Sequence, residues 1–227
     1  MALVSDDQRA GAPGAAGSLD EQRRIRADKV AALRRAGVDP YPDRFERTAT
    51  SAALHERFAA LEAGTETGVH ERVAGRVLLR RNMGKLIFLT VQDVAGQLQL
   101  FVSRADLGDE GFAAVAEVDL GDWVGAAGEV ITTRKGELSI KVAELQLLAK
   151  ALRPLPDKWR GLSDTDTRYR QRYVDLIVNE DARRTFRVRH RAVRSLRDQL
   201  DGEGFVEVET PVLQLEAGGA TARPFLT

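Results

Sequence analysis

Apolar and polar residues alternate along three runs in the middle of the chain. In the first run Val73, Val77 and Leu79 occupy one phase, and arginines occupy the other. The runs 86–92 and 98–102 alternate in the same way, and short turn-like stretches separate the three. Because successive side chains of a strand lie on opposite faces, this pattern predicts three half-buried strands joined as a meander.

The alternation also predicts which side chains lie on the outer face of this sheet. If the aliphatic phase of the second and third runs points into the core, then Phe88, Gln99 and Phe101 point outward together. An exposed aromatic ring offers a nucleic-acid base a stacking surface worth roughly 1–3 kcal/mol. An outward ring is also found as a chance surface residue or under another domain, and for Phe88 alone this alternative stays open.

Two further strands are predicted after a segment that suits a short helix. The helical segment is 106–116, and the strands are 123–132 and 138–145, with the basic turn 133–136 between them. In the last strand the aliphatic residues again take the inner phase, which turns the other phase outward. The outward residues are Glu137, Ser139 and Lys141.

Three strands, a helix and two strands within roughly eighty residues is the order of an OB-fold, an all-β five-stranded barrel. Such barrels bind oligonucleotides on the face of strands 2 and 3 and with the loops that join strands 1–2 and 4–5. Arg80, Arg81 and Lys85 fall in the predicted first loop, next to the face that carries Phe88 and Gln99. The sequence therefore predicts an oligonucleotide-binding barrel.

The segments on either side of the barrel differ from it in composition. An Ala/Gly/Pro-rich start is typical of disorder, and apolar residues at helical spacing predict helices at 18–36 and 51–62. Two prolines after the barrel stiffen a linker. The predicted organisation is a disordered tail at 1–17, an N-terminal helical region at 18–64, the barrel at 65–150, a proline-containing linker at 151–163 and the start of a second domain at 164–227.

Helices also open the second domain. A helical segment is predicted at 164–178, and Asn179 is placed to cap a longer, arginine-rich helix that ends near residue 201. Its arginines form a solvated or subunit-facing surface, with a nucleic-acid patch as the alternative. The basic helix at 18–36 leaves two interpretations as well, a solvated face or a contact with a phosphate backbone. The stretch 205–211 ends in proline and predicts a short strand.

The composition limits the classes of function. The 34 Lys and Arg residues balance 34 Asp and Glu residues, so we expect nucleic acid to be bound by local contacts rather than by bulk charge. Cysteine is absent, which excludes disulfides and thiolate zinc sites and fits a reducing cytoplasm. The three histidines lack ligand spacing, and neither a membrane-length apolar run nor a secretory signal is found.

A family resemblance emerges at the end of the chain. The stretch Gly204–Pro211, after a long helix, resembles motif 1 of the class II aminoacyl-tRNA synthetases, in which a proline ends a strand at the dimer interface. With the loop Gly218–Phe225, the chain is similar in particular to the lysyl-tRNA synthetase branch, from about residue 20 onward. Further matches to that branch are Met83–Lys85, Leu120–Asp122, Gly136–Ser139, Leu152–Pro156 and Arg170–Ile177.

This resemblance implies a barrel that recognises the tRNA anticodon, including its central uridine. The family's stacking aromatic residue falls on Phe88, and the glutamine that recognises uridine falls on Gln99. Its arginine in the first loop falls on Arg81, and its glutamate in the loop between strands 4 and 5 falls on Glu137. Unstacked bases of an RNA loop are recognised in this way, by stacking and by hydrogen bonds to their edges.

The resemblance also implies the beginning of an α+β catalytic domain. It places Glu207, Glu209 and Pro211 at a homodimer interface, and Gly218 and Gly219 near the amino-acid site. The family activates lysine with ATP and Mg²⁺ and transfers it to tRNA-Lys. The family's motifs 2 and 3 have no counterpart in this sequence, so we expect no catalytic residue, bound metal or ligase activity from this chain alone.

Three hypotheses remain open at this point. The first is the N-terminal part of a lysine–tRNA ligase, and the second is a non-catalytic RNA-binding protein derived from a synthetase. A reading frame that continues into motif 2 favours the first, and a stop codon after Thr227 favours the second. A member of the aspartate or asparagine group is a third hypothesis, which the loop with Gly218 and Gly219 disfavours.

Overall fold

A computed structural model describes residues 19–156 and 162–211 of the chain. The predicted tail at 1–17, together with Gly218 and Gly219, lies outside the described residues. The chain divides into two compact units, one that ends at Leu155 and one that begins at Pro156.

Five strands of the first unit form a closed barrel in the order β1-β2-β3-β5-β4. Neighbouring strands are antiparallel except β3 and β5, which are parallel. The prediction of three strands, a helix and two strands is confirmed. The elements are α1 Leu19–Arg35, α2 Ser51–Arg57, β1 Glu66–Met83, β2 Leu86–Gln92, β3 Gln97–Ser103, α3 Arg104–Ala116, β4 Trp123–Thr132 and β5 Leu138–Ala149.

The barrel interior is filled by the aliphatic phase of the strands. Branched residues dominate it because they fit the pleated surface of a sheet. The inward positions of β2 and β3 are confirmed, since all six are buried: Ile87, Leu89, Val91, Leu98, Leu100 and Val102.

A β-bulge in β1 reverses the alternation that the sequence predicted. Val77 pairs with Val91, but the next partners are Leu79 and Thr90, so one extra residue is accommodated between them. A bulge of this kind shifts every later side chain to the other face. The prediction that Leu79 points inward and its neighbour Arg80 outward is therefore wrong, because the bulge was not visible in the pattern.

Helix α1 is held against the barrel unit by part of its basic face. Arg26 is buried and its Nη1 donates to the carbonyl oxygens of Leu120 and Ala151, at 3.1 and 2.8 Å. Lys29 Nζ lies 3.1 Å from Asp119 Oδ1. For these two residues neither a solvated face nor a phosphate contact is correct, because both cations are paired with acceptors of the same unit.

A buried ion pair lies beside this contact. Lys150 Nζ donates to Asp122 Oδ2 at 2.6 Å, and the side chains of Lys150 and Asp122 are 2% and 0% exposed. Lys150 also donates to Asp119 at 2.5 Å. Removal of one partner from such a pair leaves an uncompensated buried charge. The pair therefore joins the end of β5 to the α3–β4 loop.

Helix α2 is shorter than the sequence predicted. Thr50 caps it by accepting from the backbone N–H of Ala53, and it ends at Arg57 rather than near residue 62. Its first residue, Ser51, is tied to the β2–β3 turn by two hydrogen bonds to Asp93. This contact fixes the helix N-terminus against the sheet.

The second unit contains three helices among its described residues. These are α4 Thr165–Arg170, α5 Arg172–Val178 and α6 Glu180–Gly202. Asn179 accepts from the Asp181 N–H at 3.2 Å, so its predicted role as the cap of α6 is confirmed. Stretch 205–211 is not a strand, which corrects the prediction. A strand needs a hydrogen-bonded neighbour, and no described segment pairs with this one.

Candidate nucleic-acid interface

One row of cross-strand neighbours crosses the outer face of the barrel. Arg81 of β1 pairs with Phe88 of β2, Phe88 pairs with Phe101 of β3, and Phe101 pairs with Lys141 of β5. Directly opposed residues of neighbouring strands share one face of a sheet. The row therefore presents a cation, two aromatic rings and a second cation side by side. We call these four residues the aromatic row.

The two rings of this row meet edge to face. Their centroids are 5.4 Å apart and their planes lie at 74°, a geometry that suits the charge distribution of aromatic rings. The exposed Arg81 guanidinium lies 5.6 Å from the Phe88 centroid as a cation–π contact. The rings of Phe88 and Phe101 are only half-buried, so a base has access to them.

Gln99 lies one position along the same face, but it is more enclosed than the sequence predicted. Its neighbours across the strands are Thr90 and Ser139, and its exposed fraction is 7%. Ser139 Oγ donates to Gln99 Oε1 at 3.1 Å. Ser139 itself is fully buried, so the prediction that it is exposed on this face is wrong. The parallel pairing of β3 and β5 brings the two side chains together and covers both.

Glu137 ends the loop between β4 and β5, and it is exposed. The loop is closed by Thr133, whose N–H donates to the Glu137 carbonyl oxygen at 2.9 Å and whose Oγ1 accepts from the Glu137 N–H at 3.1 Å. Gly136 has a φ of 81°, a left-handed conformation that glycine adopts without strain. The Glu137 carboxylate is therefore carried by a fixed turn.

The three cations predicted for the first loop have different roles. Arg81 joins the aromatic row and Lys85 is exposed in the loop. Arg80 does not contribute to this surface, because its Nη1 donates to the carbonyl oxygens of Ala116 and Val118 at 2.7 and 2.6 Å. These carbonyls lie at the end of α3, where a cation satisfies backbone acceptors.

Lys141 also belongs to this surface. The alternation along β5 predicted that it points outward, but the sequence assigned it no role. Its Nζ donates to Glu66 Oε1 at 3.0 Å, and this hydrogen bond raises the pKa of Lys141. The ammonium group is therefore held in its charged form beside Phe101. Its register with Phe101 follows from the parallel pairing of β3 and β5, which the alternation of each strand alone does not reveal.

The arrangement suits single-stranded nucleic acid. Aromatic rings are able to stack with bases, a carboxamide such as that of Gln99 is able to donate and accept hydrogen bonds, and cations such as Arg81 and Lys85 are able to pair with phosphates.

The predicted dimer residues lie in the second unit. Glu207, Glu209 and Pro211 are exposed, and Arg197 Nε donates to Glu207 Oε1 at 3.0 Å. The apolar stripe of α6 is exposed at Phe186, Leu196 and Leu200 among other positions.

Metal ions need a ligand set of several side chains. Among residues 19–156 and 162–211, no group of three or more histidine or carboxylate side chains is placed to hold a metal ion. No helix in the described part of the chain is long and apolar enough to span a membrane.

Two known families match separate parts of the chain. Residues 71–148 match the OB-fold nucleic acid binding domain, and residues 164–227 match tRNA synthetases class II (D, K and N). The fold, the outer face and these matches define a nucleic-acid-binding barrel joined in one chain to part of a class II tRNA synthetase.

Curated relatives identify the branch. The chain is 44% identical to a lysine–tRNA ligase of Pelotomaculum thermopropionicum over 95% of its own length, and 49% identical to one of Pasteurella multocida over 92%. It is 50% identical to a lysine–tRNA ligase of Synechococcus sp. RCC307, also over 92%. The chain belongs to the lysine–tRNA ligase family. It spans 42% of the length of each of these three relatives.

Proposed function

We propose that this chain provides anticodon recognition to a lysine–tRNA ligase. The outer face of β2 and β3 binds the anticodon loop of tRNA-Lys, with the central uridine stacked on Phe88 and hydrogen-bonded by Gln99. Arg81 contacts the RNA beside the ring, and Glu137 contacts it from the β4–β5 loop. The observation that carries this proposal is the half-exposed Phe88 ring beside the Gln99 carboxamide on one face of an OB-fold.

The remaining parts of the proposal concern the whole ligase. It joins lysine to tRNA-Lys in the cytoplasm, with ATP and Mg²⁺ as cofactors, and it acts as a homodimer. Glu207, Glu209 and Pro211 belong to the dimer interface, and Gly218 and Gly219 to the lysine site. The ligase activity after which the relatives are named and the class II match to residues 164–227 support this part.

Binding to short RNA hairpins tests the recognition step. The full chain is titrated with a stem-loop that carries the lysine anticodon, and with the same stem-loop in which the central uridine is cytidine, at one stated salt concentration. We expect the uridine loop to bind at least about fivefold more tightly, since one specific hydrogen-bonded contact discriminates by about 1–3 kcal/mol.

The variant Gln99→Ala provides the matched comparison. The ratio of its affinities for the uridine and cytidine loops is expected to fall close to one, because stacking on Phe88 still holds either base. Equal binding of both loops by the unmodified chain would contradict the proposed anticodon recognition.

A further inference from the structure

We propose that Ser139 is a specificity-determining residue, which orients the Gln99 carboxamide so that its amide nitrogen faces the RNA. The inference rests on the proposed recognition of uridine by Gln99 and names the residue that makes this recognition selective. Ser139 acts through Gln99, and it is therefore a positioning residue.

The contact between these two residues is fixed by the fold. The parallel pairing of β3 and β5 makes Gln99 and Ser139 direct neighbours. Ser139 is 0% exposed, so water does not compete for its hydroxyl group. Its Oγ is 3.1 Å from Gln99 Oε1. Because a carboxamide oxygen carries no proton, the serine hydroxyl is the donor in this contact.

The Ser139 hydroxyl group also has a second acceptor. The backbone carbonyl oxygen of Glu137 is also 3.1 Å from Ser139 Oγ. Carbonyl oxygens only accept, so the Glu137 and Gln99 oxygens share the single Ser139 proton. The same hydroxyl group therefore connects Gln99 with the base of the loop that carries the Glu137 carboxylate.

The orientation of the carboxamide decides what Gln99 offers to a base. With Oε1 turned toward Ser139, the amide Nε2 has no hydrogen-bond partner among residues 19–156 and 162–211. No buried polar side-chain atom of the described residues lacks a partner, so Nε2 is in contact with solvent. Gln99 therefore presents a donor at the RNA surface, although the residue as a whole is 7% exposed.

A donor at this position distinguishes the two pyrimidines. Where uracil has the acceptor O4, cytosine has an amino group that donates. The Nε2 donor is satisfied by uracil and is opposed by a second donor in cytosine, which leaves polar groups unpaired. Loss of the Ser139 hydroxyl frees the carboxamide to turn, so that Oε1 is able to accept from the cytosine amino group.

Thr90 supplies a matched control. It is the neighbour of Gln99 on the opposite side, on β2, and it also carries a hydroxyl group. No hydrogen bond joins Thr90 to Gln99 in the described structure. Thr90→Val removes this hydroxyl at constant shape, just as Ser139→Ala removes the other at nearly constant size.

The experiment measures the ratio of affinities for the uridine and cytidine stem-loops. For Ser139→Ala we expect this ratio to fall by about three- to tenfold, the effect of one hydrogen bond, with cytidine binding strengthened relative to uridine. Thr90→Val is expected to keep the wild-type ratio. In a Gln99→Ala background Ser139→Ala is expected to change the ratio no further, because the positioned group is absent.

The possible outcomes separate this inference from the proposed function. If the unmodified chain prefers uridine and Ser139→Ala keeps the same ratio, the inference is overturned and anticodon recognition stands. If Ser139→Ala weakens the binding of both loops equally, Ser139 has a structural role and the inference is also overturned. Equal binding by the unmodified chain overturns the proposed function itself. Circular dichroism checks folding. If Ser139→Ala unfolds, Ser139→Cys replaces it. The cysteine thiol is a weak donor, so we expect an affinity ratio between that of the unmodified chain and equal binding of the two loops.

Discussion

Phe88 is placed between two different neighbours, each of which affects how it meets a base. Phe101 contacts it edge to face, which holds the ring in position. Arg81 lies over the ring, and its side chain is exposed. We therefore expect a base that stacks on Phe88 to replace the guanidinium, which leaves Arg81 available to a phosphate.

We expect Phe88→Ala to weaken binding of the uridine stem-loop by about 1–3 kcal/mol, because a base loses its stacking surface. Titration at a fixed salt concentration measures the loss. Phe88→Tyr keeps the aromatic face and is expected to bind like the unmodified chain. Wild-type affinity of Phe88→Ala would place the RNA on another surface.

The bulge in β1 shows how one element decides the roles of neighbouring residues. Arg80 and Arg81 are consecutive residues of the same type, so their side-chain chemistry does not distinguish them. After the bulge Arg81 is paired with Phe88 on the outer face, whereas Arg80 is paired with the buried Leu89 and binds carbonyl groups at the end of α3. Strict alternation assigned Arg80 to the outer phase, since a bulge adds one residue without any distinctive sequence signal here.

The β2–β3 turn depends on one carboxylate. Asp93 accepts from the Ser51 N–H and hydroxyl group at 2.8 and 2.6 Å, and from the N–H groups of Ala95 and Gly96 at 2.7 and 2.8 Å. Burial by itself raises the pKa of Asp93, but these hydrogen bonds favour the charged form and bring its pKa below the ordinary value of 3.8. The charged carboxylate therefore stabilises the fold.

We expect Asp93→Ala to lower the free energy of unfolding at pH 7 by about 1–3 kcal/mol, the effect of losing hydrogen bonds to a charged group. Because the pKa is lowered in the folded state, the stabilisation is complete above the unfolded-state value and is lost as the pH falls through the folded-state value. The difference between the two proteins should therefore shrink below about pH 4.

Urea unfolding followed by circular dichroism, at pH 7 and in acid, measures this difference. Asp43→Ala is the matched control, since Asp43 is exposed and no hydrogen bond of its side chain is found in the described structure. Its effect is expected to stay within about 0.5 kcal/mol. A constant difference between Asp93→Ala and the unmodified chain across the pH range would contradict a charged Asp93.

Charge at the scale of the whole molecule is balanced, with a net charge of zero. In the proposed complex we expect attraction to RNA to depend on exposed cations of the aromatic row, the first loop and the β4–β5 loop rather than on a general field. The exposed cations at these places are Arg81, Lys85, Arg134 and Lys135.

We expect the affinity for the uridine stem-loop to depend weakly on salt. With up to four phosphate contacts, the slope of log K against log salt concentration should not exceed about 3 in magnitude. Lys135→Gln should reduce this slope by about 0.7, the contribution of one phosphate contact. Titrations across a range of salt concentrations measure both.

Arg34→Gln is the control, because Arg34 is an exposed cation of the basic helix α1 rather than of the barrel loops. An unchanged slope is expected for it. A reduced slope would show instead that α1 contacts the phosphate backbone.

The sequence by itself determined the order of the strands, the inward phase of β2 and β3, the cap at Asn179 and the family. These features are local or periodic: the side-chain period of a strand is two, and a cap involves residues close together in the chain. The matching motifs likewise lie within short stretches, such as Gly204–Pro211.

Tertiary structure alone decided the bulge in β1, the burial of Gln99 and Ser139, and the docking of Arg26 on carbonyl groups more than ninety positions away. Stretch 205–211 depends in the same way on a partner strand. Each of these depends on residues that are distant in sequence, and pairing between distant strands is set by the closure of the whole barrel. Alternation along one strand carries no information about which strand lies beside it.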